Sequence, residues 1–365
     1  MIYKELGNTG EKVSALGFGG GIGGVKSDTS DYSGLELTLH KSLDLGVNFV
    51  DTSPVYGNGR SEEIIGEALK GLRSQVVLAT KVLPGKTDYN GVITSVEESL
   101  RRLKTDYIDL YQVHWPNPSI PLEETASAME KLIDQGKIKY FGVSNFSIGE
   151  IEKTQSCLNK NSLSSIQVEY NFCERSIEKQ ILPLCKRDKI TAIAYTPLMR
   201  GRLAGNSKQL SLIQELSKKY NATSGQIILS WFCNISPVVV LTNTKNIKRA
   251  EENFSSCDVV LSKEDAEKID EVCVPPIEMV DTKYILSSSS IEKSGYSSLE
   301  DAINNSLGWT PSPSTLASQM KTGEFLKPIR LRKVSQGLEI LEGKLRFWSW
   351  VVAYGWEKKI PSIIW

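Results

Sequence analysis

The chain carries no net charge, because 43 basic residues balance 43 acidic ones over 365 positions. A general nucleic-acid binder needs a basic surface, so a DNA partner is not expected. No apolar run approaches the roughly 18–20 residues that span a bilayer. The opening Met1-Ile2-Tyr3-Lys4-Glu5 is too polar for a secretory leader. Only six cysteines occur, all between Cys157 and Cys273, and none stands in a CxxC or comparable spacing. Their scatter argues against a zinc site and a disulfide scaffold. Histidine is scarcer still, with two in the chain. A cytoplasmic protein with no metal and no membrane partner is expected.

What the chain does contain is alternation. Val47–Asp51, Val76–Lys81, Ile108–Trp115, Tyr140–Ser144, Ser165–Tyr170, Thr191–Tyr195 and Val238–Leu241 read as strands. Helix-like stretches separate them. In Ser95–Leu103 the apolar Val96, Leu100 and Leu103 share one helical face, with Ser95 as the expected N-cap. The unit recurs about every 30 residues, seven or eight times, which predicts an α/β fold of the (β/α)8 TIM-barrel type. A doubly wound sheet competes, but the cluster Gly17–Gly24 opens no evident helix and contributes no dinucleotide fingerprint of that fold.

Beyond Cys273 the texture changes. Val274-Pro275-Pro276, the serine run Ser287–Ser290 and Pro311-Ser312-Pro313 are interruptions. Leu338–Leu341 then reads as a strand and Lys344–Tyr354 as a helix, with Leu345, Trp348, Val352 and Trp356 on one side. Four of the seven tryptophans lie at or after Trp348, which requires a packed core or a buried interface. The division expected is a barrel over residues 1–274 and a small α+β domain over 277–365.

In a βα barrel, the C-terminal strand ends surround one mouth. There the sequence places Asp51, Lys81 and His114, with Tyr56 five residues past Asp51. A lysine beside a phenol favours the phenolate and lowers its pKa, Asp51 holds the lysine, and the histidine orients a carbonyl oxygen. The set amounts to a proton donor for a carbonyl under reduction. Each residue alone has a plainer reading. Asp51 suits a turn cap, His114 a satisfied core histidine, and Tyr56 a loop surface. Lys81 at the end of a buried strand is harder to explain without a partner. His40, within a helix, is read as structural.

These residues sit in a longer pattern. Leu45-Gly46-Val47-Asn48-Phe49-Val50-Asp51-Thr52-Ser53-Pro54-Val55-Tyr56-Gly57, then Ser61-Glu62, resembles the signature of the aldo-keto reductase superfamily. The likeness continues through Ala79-Thr80-Lys81, Val113-His114-Trp115 and Gly142–Phe146. Gln167, Ala194–Leu198 and Lys248–Asn253 extend it, so that it covers roughly residues 1–273. The resemblance implies a catalytic tetrad of Asp51, Tyr56, Lys81 and His114, with Tyr56 as general acid in reduction. It implies NADPH as cofactor, with NADH left open, and a small carbonyl or alcohol as substrate. Ser144, Asn145 and Gln167 would bond the carboxamide, and Tyr195 would stack on the nicotinamide. Thr196, Leu198 and Arg200 would pass over the pyrophosphate, with Asp51, Thr52 and Thr244 also at the cofactor. Arg249 would meet the 2′-phosphate, and Glu252 and Asn253 the adenine. A solvated helix start is the plainer reading of Lys245, Lys248 and Arg249. Where many relatives have Ile-Pro-Gly, this chain has Leu241-Thr242-Asn243-Thr244. Trp115 is placed either in the pocket wall or against the next helix.

The terminal segment resembles the ParB/sulfiredoxin-like fold. The matching pieces are Thr315–Gly323, Lys327–Arg330, Leu341–Arg346 and Lys359–Ile364. The resemblance implies a second phosphate site at Glu342, Lys344 and Arg346, with a nucleotide as its ligand. The plainer reading is a capped, solvated helix start. Two further functions therefore stand beside carbonyl reduction: a bifunctional phosphate-handling protein, and a cofactor-sensing binding module.

Overall fold

The computed structural model describes residues 1–21, 32–172, 174–199, 207–272, 278–282, 285–286, 296, 298–308, 311–321, 329–334 and 337–364. The chain divides into two compact units, Met1–Cys273 and Val274–Trp365.

The first unit opens with a hairpin, β1 (Tyr3–Glu5) and β2 (Lys12–Ser14). Eight parallel strands follow: β3 (Leu16–Gly19), β4 (Phe49–Asp51), β5 (Val77–Val82), β6 (Ile108–Val113), β7 (Ile138–Ser144), β8 (Leu163–Glu169), β9 (Thr191–Tyr195) and β10 (Val238–Thr242). Each pairs with its successor, and β10 returns to β3, closing a (β/α)8 barrel. The strands are buried along almost their whole length, because helices cover the outside and side chains fill the inside. The helices are α1 (Leu35–Asp44), α2 (Arg60–Ala68), α3 (Tyr89–Leu103), α4 (Leu122–Asp134), α5 (Ile148–Cys157), α6 (Ile181–Asp188), α7 (Ser207–Tyr220), α8 (Ser224–Cys233), α9 (Ile247–Phe254) and α10 (Lys263–Val272).

The hairpin plugs the N-terminal end of the barrel. Leu6 and Val13 pack with Phe49, Val77, Leu110, Ile193 and Val239, near the starts of the strands. Gly7 donates its backbone N–H to Thr191 Oγ1 at 2.7 Å. The opposite, C-terminal end is left for a cavity.

Local detail corrects one expectation. Ser95 is not a helix cap: α3 begins six residues earlier, and Asp88 caps it by accepting from the Gly91 N–H at 3.0 Å. The apolar face of α3 extends back to Val92, so periodicity placed the helix but not its start. The glycine cluster has a packing role where it is described. A Cβ at Gly17 would lie 2.7 Å from the Phe49 ring, and one at Gly21 would lie 3.2 Å from the Tyr56 ring.

The second unit is a five-stranded mixed sheet with order β11 (Glu278–Asp281), β15 (Lys359–Ile364), β13 (Ile329–Val334), β14 (Gly337–Glu342) and β12 (Ile285–Leu286). Its helices are α11 (Leu299–Ile303), α12 (Pro313–Lys321) and α13 (Lys344–Tyr354). Phe347, Trp348 and Val351 of α13 are buried with Ile329, Leu331, Ile340 and Ile360 of the sheet. The buried stripe of α13 thus differs from the expected one: Leu345 and Val352 are only half-buried, and Trp356 lies beyond the helix at 41% exposure. Trp348 carries the core, as the tryptophan density required. Val274–Pro276 and Ser287–Ser290 lie outside the described residues, as does Lys327-Pro328.

Candidate active site

Every barrel strand delivers a residue to one mouth at its C-terminal end. Gly19 ends β3, Asp51 ends β4, Ser144 ends β7, Tyr195 ends β9 and Thr242 ends β10. Lys81 and Gln167 lie within the last residues of β5 and β8, and His114 immediately follows β6. A cavity of about 920 Å³ opens there.

At its floor is a fully buried ion pair. Lys81 Nζ donates to Asp51 Oδ1 at 2.6 Å and to the Thr52 carbonyl at 2.9 Å. The other Asp51 oxygen accepts from Gln112 Nε2 at 3.0 Å and Gln167 Nε2 at 2.9 Å. The carboxylate is therefore satisfied on both sides, as a buried charge must be. Burial opposes the charge on Lys81, yet Asp51 and Tyr56 together hold its pKa above the ordinary value. The ammonium sits 5.2 Å from the Tyr56 ring centroid. Tyr56 departs from the expectation of a lowered phenol pKa. Its desolvation outweighs the pull of Lys81, so the pKa moves up. The phenol is thus held protonated, ready as a donor.

His114 meets the Tyr56 ring edge-on, with centroids 6.0 Å apart, and its Nδ1 lies 3.1 Å from Ser53 Oγ. Burial, assisted by Lys81, pushes its pKa down to about 3. The imidazole is neutral at physiological pH. In the tautomer where Ser53 donates to Nδ1, the imidazole proton lies on Nε2, which is then a neutral hydrogen-bond donor. This shift has a consequence for stability. An unfolded imidazole takes up a proton below about 6.5, whereas the folded one does so only near 3. Stability from this residue is therefore complete above the higher value and declines as the pH falls toward the lower one. The slope is up to about 1.4 kcal/mol per pH unit. Urea midpoints of wild type and His114→Gln at about pH 7 and about pH 4.5 check it. The wild type should lose more on acidification, and equal losses would remove His114 as the cause.

The wall is built by loop residues in uncommon conformations. Asn145 has φ 62° and Thr196 has φ 53°, and a β-branched residue there is strained. Tyr195 Oη donates to Asn145 Oδ1 at 2.9 Å, and Asn145 Nδ2 donates to Ser144 Oγ and to the His114 carbonyl. Thr196 and Thr242 line the cavity, and each buries a hydroxyl that has no hydrogen-bond partner among the described residues. At the far end, Thr244, Lys245, Arg249, Glu252 and Asn253 surround the opening, and α9 begins there.

The structure gathers nearly all of the expected residues. Asp51, Tyr56, His114, Ser144, Asn145, Gln167, Tyr195, Thr196, Leu198, Thr244, Arg249, Glu252 and Asn253 line the cavity. Lys81 lies behind Asp51. Thr52 stands apart, since its hydroxyl is engaged by Ser61 Oγ at 2.8 Å. Arg200 lies outside the described residues. Trp115 is resolved to the cavity wall, at 45% exposure. His40 is structural, bonded to the Ala68 carbonyl at 2.8 Å. Sequence reasoning gave no site role to Gln112, Ser53 or Gly225, and left Thr242, Asn243 and Lys245 without an assigned contact. The first two were findable, because Gln112 is a buried polar side chain within β6 and Ser53 lies two residues past the end of β4. In the second unit, Glu342 ends β14, and Lys344 and Arg346 occupy the first turn of α13. The Arg346 guanidinium lies 3.0 Å from where a Gly343 Cβ would stand.

Comparison with known proteins agrees with this geometry. The aldo/keto reductase family profile matches residues 15–273. The chain belongs to the aldo/keto reductase family. It is an oxidoreductase. Methylglyoxal reductase YeaE of Escherichia coli is 34% identical over 277 residues, which are 76% of this chain and 97% of that protein. Aldo-keto reductase YhdN of Bacillus subtilis is 44% identical over 216 residues, 56% of this chain and 64% of that one. A crystal structure of an aldo/keto reductase from Klebsiella pneumoniae in complex with NADP and acetate superposes with a TM-score of 0.67. It is 32% identical, over 76% of this chain and 97% of its own. The family match ends at residue 273 and does not extend into the second unit. Among the described residues no helix is long and apolar enough to cross a membrane, and no cluster of His, Cys, Asp and Glu is arranged to hold a metal.

Proposed function

We propose that the protein reduces a small aldehyde, ketone or sugar-like carbonyl with NADPH, and that Tyr56 supplies the proton. One observation carries this reading. A neutral histidine, a protonated phenol and a buried ammonium converge on the floor of a cavity whose opposite end presents Lys245 and Arg249. The residues suit a dinucleotide phosphate: Lys245 and Arg249 line that end of the cavity, and arginine binds phosphate through paired N–H groups. When bound, the cofactor supplies a hydride from its nicotinamide ring.

The chain's own groups do the remainder. His114 donates Nε2–H to the substrate carbonyl oxygen and fixes its direction. Tyr56 transfers its hydroxyl proton to that oxygen as negative charge develops there. Lys81 stabilises the phenolate left behind, and Asp51 keeps Lys81 charged and in place. Asn145, Ser144 and Gln167 provide amide and hydroxyl groups that would fix which face of the nicotinamide is presented. Trp115 forms a wall for the substrate's apolar part.

Arg249→Ala tests the cofactor assignment. It is expected to weaken NADPH about 10- to 100-fold, while leaving NADH within about twofold, because only the former carries the 2′-phosphate. Fluorescence titration of both nucleotides measures this, and equal losses would move the phosphate contact elsewhere. The intact tetrad favours turnover over the cofactor-sensing reading. In the second unit, the Arg346 guanidinium stands beside Gly343 at the start of α13.

A further inference from the structure

The N-terminal end of the barrel holds two thiols that carbonyl reduction does not use. Cys233 is the last residue of α8, and Cys257 lies in the 3-10 turn Ser255–Asp258 that follows α9. Both helices run antiparallel to the strands, so their ends meet at the face opposite the active site. The two sulfurs stand 2.9 Å apart. A disulfide bond is about 2.05 Å long, so less than about 1 Å of closure separates the pair from bonding. Cys233 is buried, and Cys257 retains 8% exposure.

The surroundings favour reaction at Cys257. The contact between the two sulfurs, in which either can donate, holds the Cys257 thiol below its usual range and raises that of Cys233. The Lys4 ammonium acts on both thiols while donating to the carbonyls of Ile235 at 2.8 Å and Val238 at 2.5 Å. Cys185 provides the contrast, since burial pushes its thiol up to about 12. A thiolate is the reacting form, and Cys257 is the more exposed of the two residues, at 8% against 2%, so Cys257 is the nucleophile of the pair.

We propose that Cys233 and Cys257 form a reversible dithiol–disulfide site, oxidised by hydrogen peroxide, whose closure clamps the segment carrying the far end of the cavity. The Cys257 thiolate attacks one peroxide oxygen, an S–O bond forms, the O–O bond breaks, and the departing hydroxide leaves as water after taking a proton. Cys233 then attacks the Cys257 sulfur, the S–O bond breaks, and a second water departs with the Cys233 proton. Two thiols lose two electrons, and one peroxide becomes two waters. The ring so closed encloses β10 and the whole of α9, and with them Thr242, Lys245 and Arg249.

The full-length wild type tests this without any variant. It is exposed to peroxide, quenched, alkylated under denaturing conditions and mapped by peptide mass spectrometry. A Cys233–Cys257 linked peptide that dithiothreitol releases is expected. Amide hydrogen exchange across residues 247–257 should slow by about threefold or more on oxidation. Cys257→Ser and Cys233→Ala should each abolish the slowing. Recovery of both residues fully alkylated, at peroxide levels that oxidise the less buried Cys157, would overturn the site. A linked peptide with unchanged exchange would overturn the clamp.

Discussion

Tyr56→Phe is expected to lower kcat for carbonyl reduction by about 10³-fold, with NADPH affinity unchanged within about twofold. The substitution removes the hydroxyl alone. The ring still meets His114 edge-on, and the Lys81–Asp51 pair remains intact. No neighbour replaces the lost acid. His114, with its pKa near 3, holds no ionisable extra proton at neutral pH. Lys81 is engaged by Asp51 and the Thr52 carbonyl. Because the Tyr56 pKa is raised, the wild-type rate of reduction should be level through neutral pH and fall only in strong alkali. Steady-state kinetics from the nicotinamide absorbance band, beside a cofactor titration, measures both quantities. A variant that keeps a tenth of the activity would mean that the proton comes from elsewhere.

Lys81→Met is expected to destabilise the barrel by about 3–5 kcal/mol. It also removes the group that stabilises the Tyr56 phenolate. The cost arises at Asp51, which would remain an anion buried at 2% exposure, with Gln112 and Gln167 as its remaining donors among the described residues. Two amide N–H groups solvate a carboxylate less well than an ammonium at 2.6 Å. Lys81→Met/Asp51→Asn should therefore recover part of the stability but none of the activity. Urea unfolding of both variants is the measurement. If the single variant unfolds at the wild-type midpoint, the buried pair does not hold the fold, and its service is to chemistry alone.

Strands were legible because each is buried on both faces and so reads as an unbroken apolar run, such as Val238–Thr242. Lys81 and His114 stood out for the same reason: a polar side chain at the end of an apolar run needs an explanation. Helix starts were less legible. Ser95 offers a capping side chain, yet the chain was already helical from Tyr89, and only the Asp88–Gly91 bond shows where α3 begins. In α13 the spacing was right and the face was shifted, because Phe347 and Val351 face the sheet.

Charge states belong to the tertiary level. The sequence supplies a lysine near a tyrosine, which points to a lowered phenol pKa. Burial of the phenol is a property of the assembled cavity, and it reverses that direction. Likewise Gln112 is one polar residue within a strand until the barrel closes and brings it against Asp51, 61 positions away. The sulfur pair at Cys233 and Cys257 lies 24 residues apart, at a spacing that signals nothing in sequence. What the sequence by itself determined is the barrel, the family and the four residues at its mouth, since periodicity and side-chain type are local quantities. What only the tertiary structure decided is which donors satisfy Asp51, which of the phenol and imidazole can give a proton, and which two thiols meet. Each of these depends on distance and desolvation, and both arise only when remote segments are packed together.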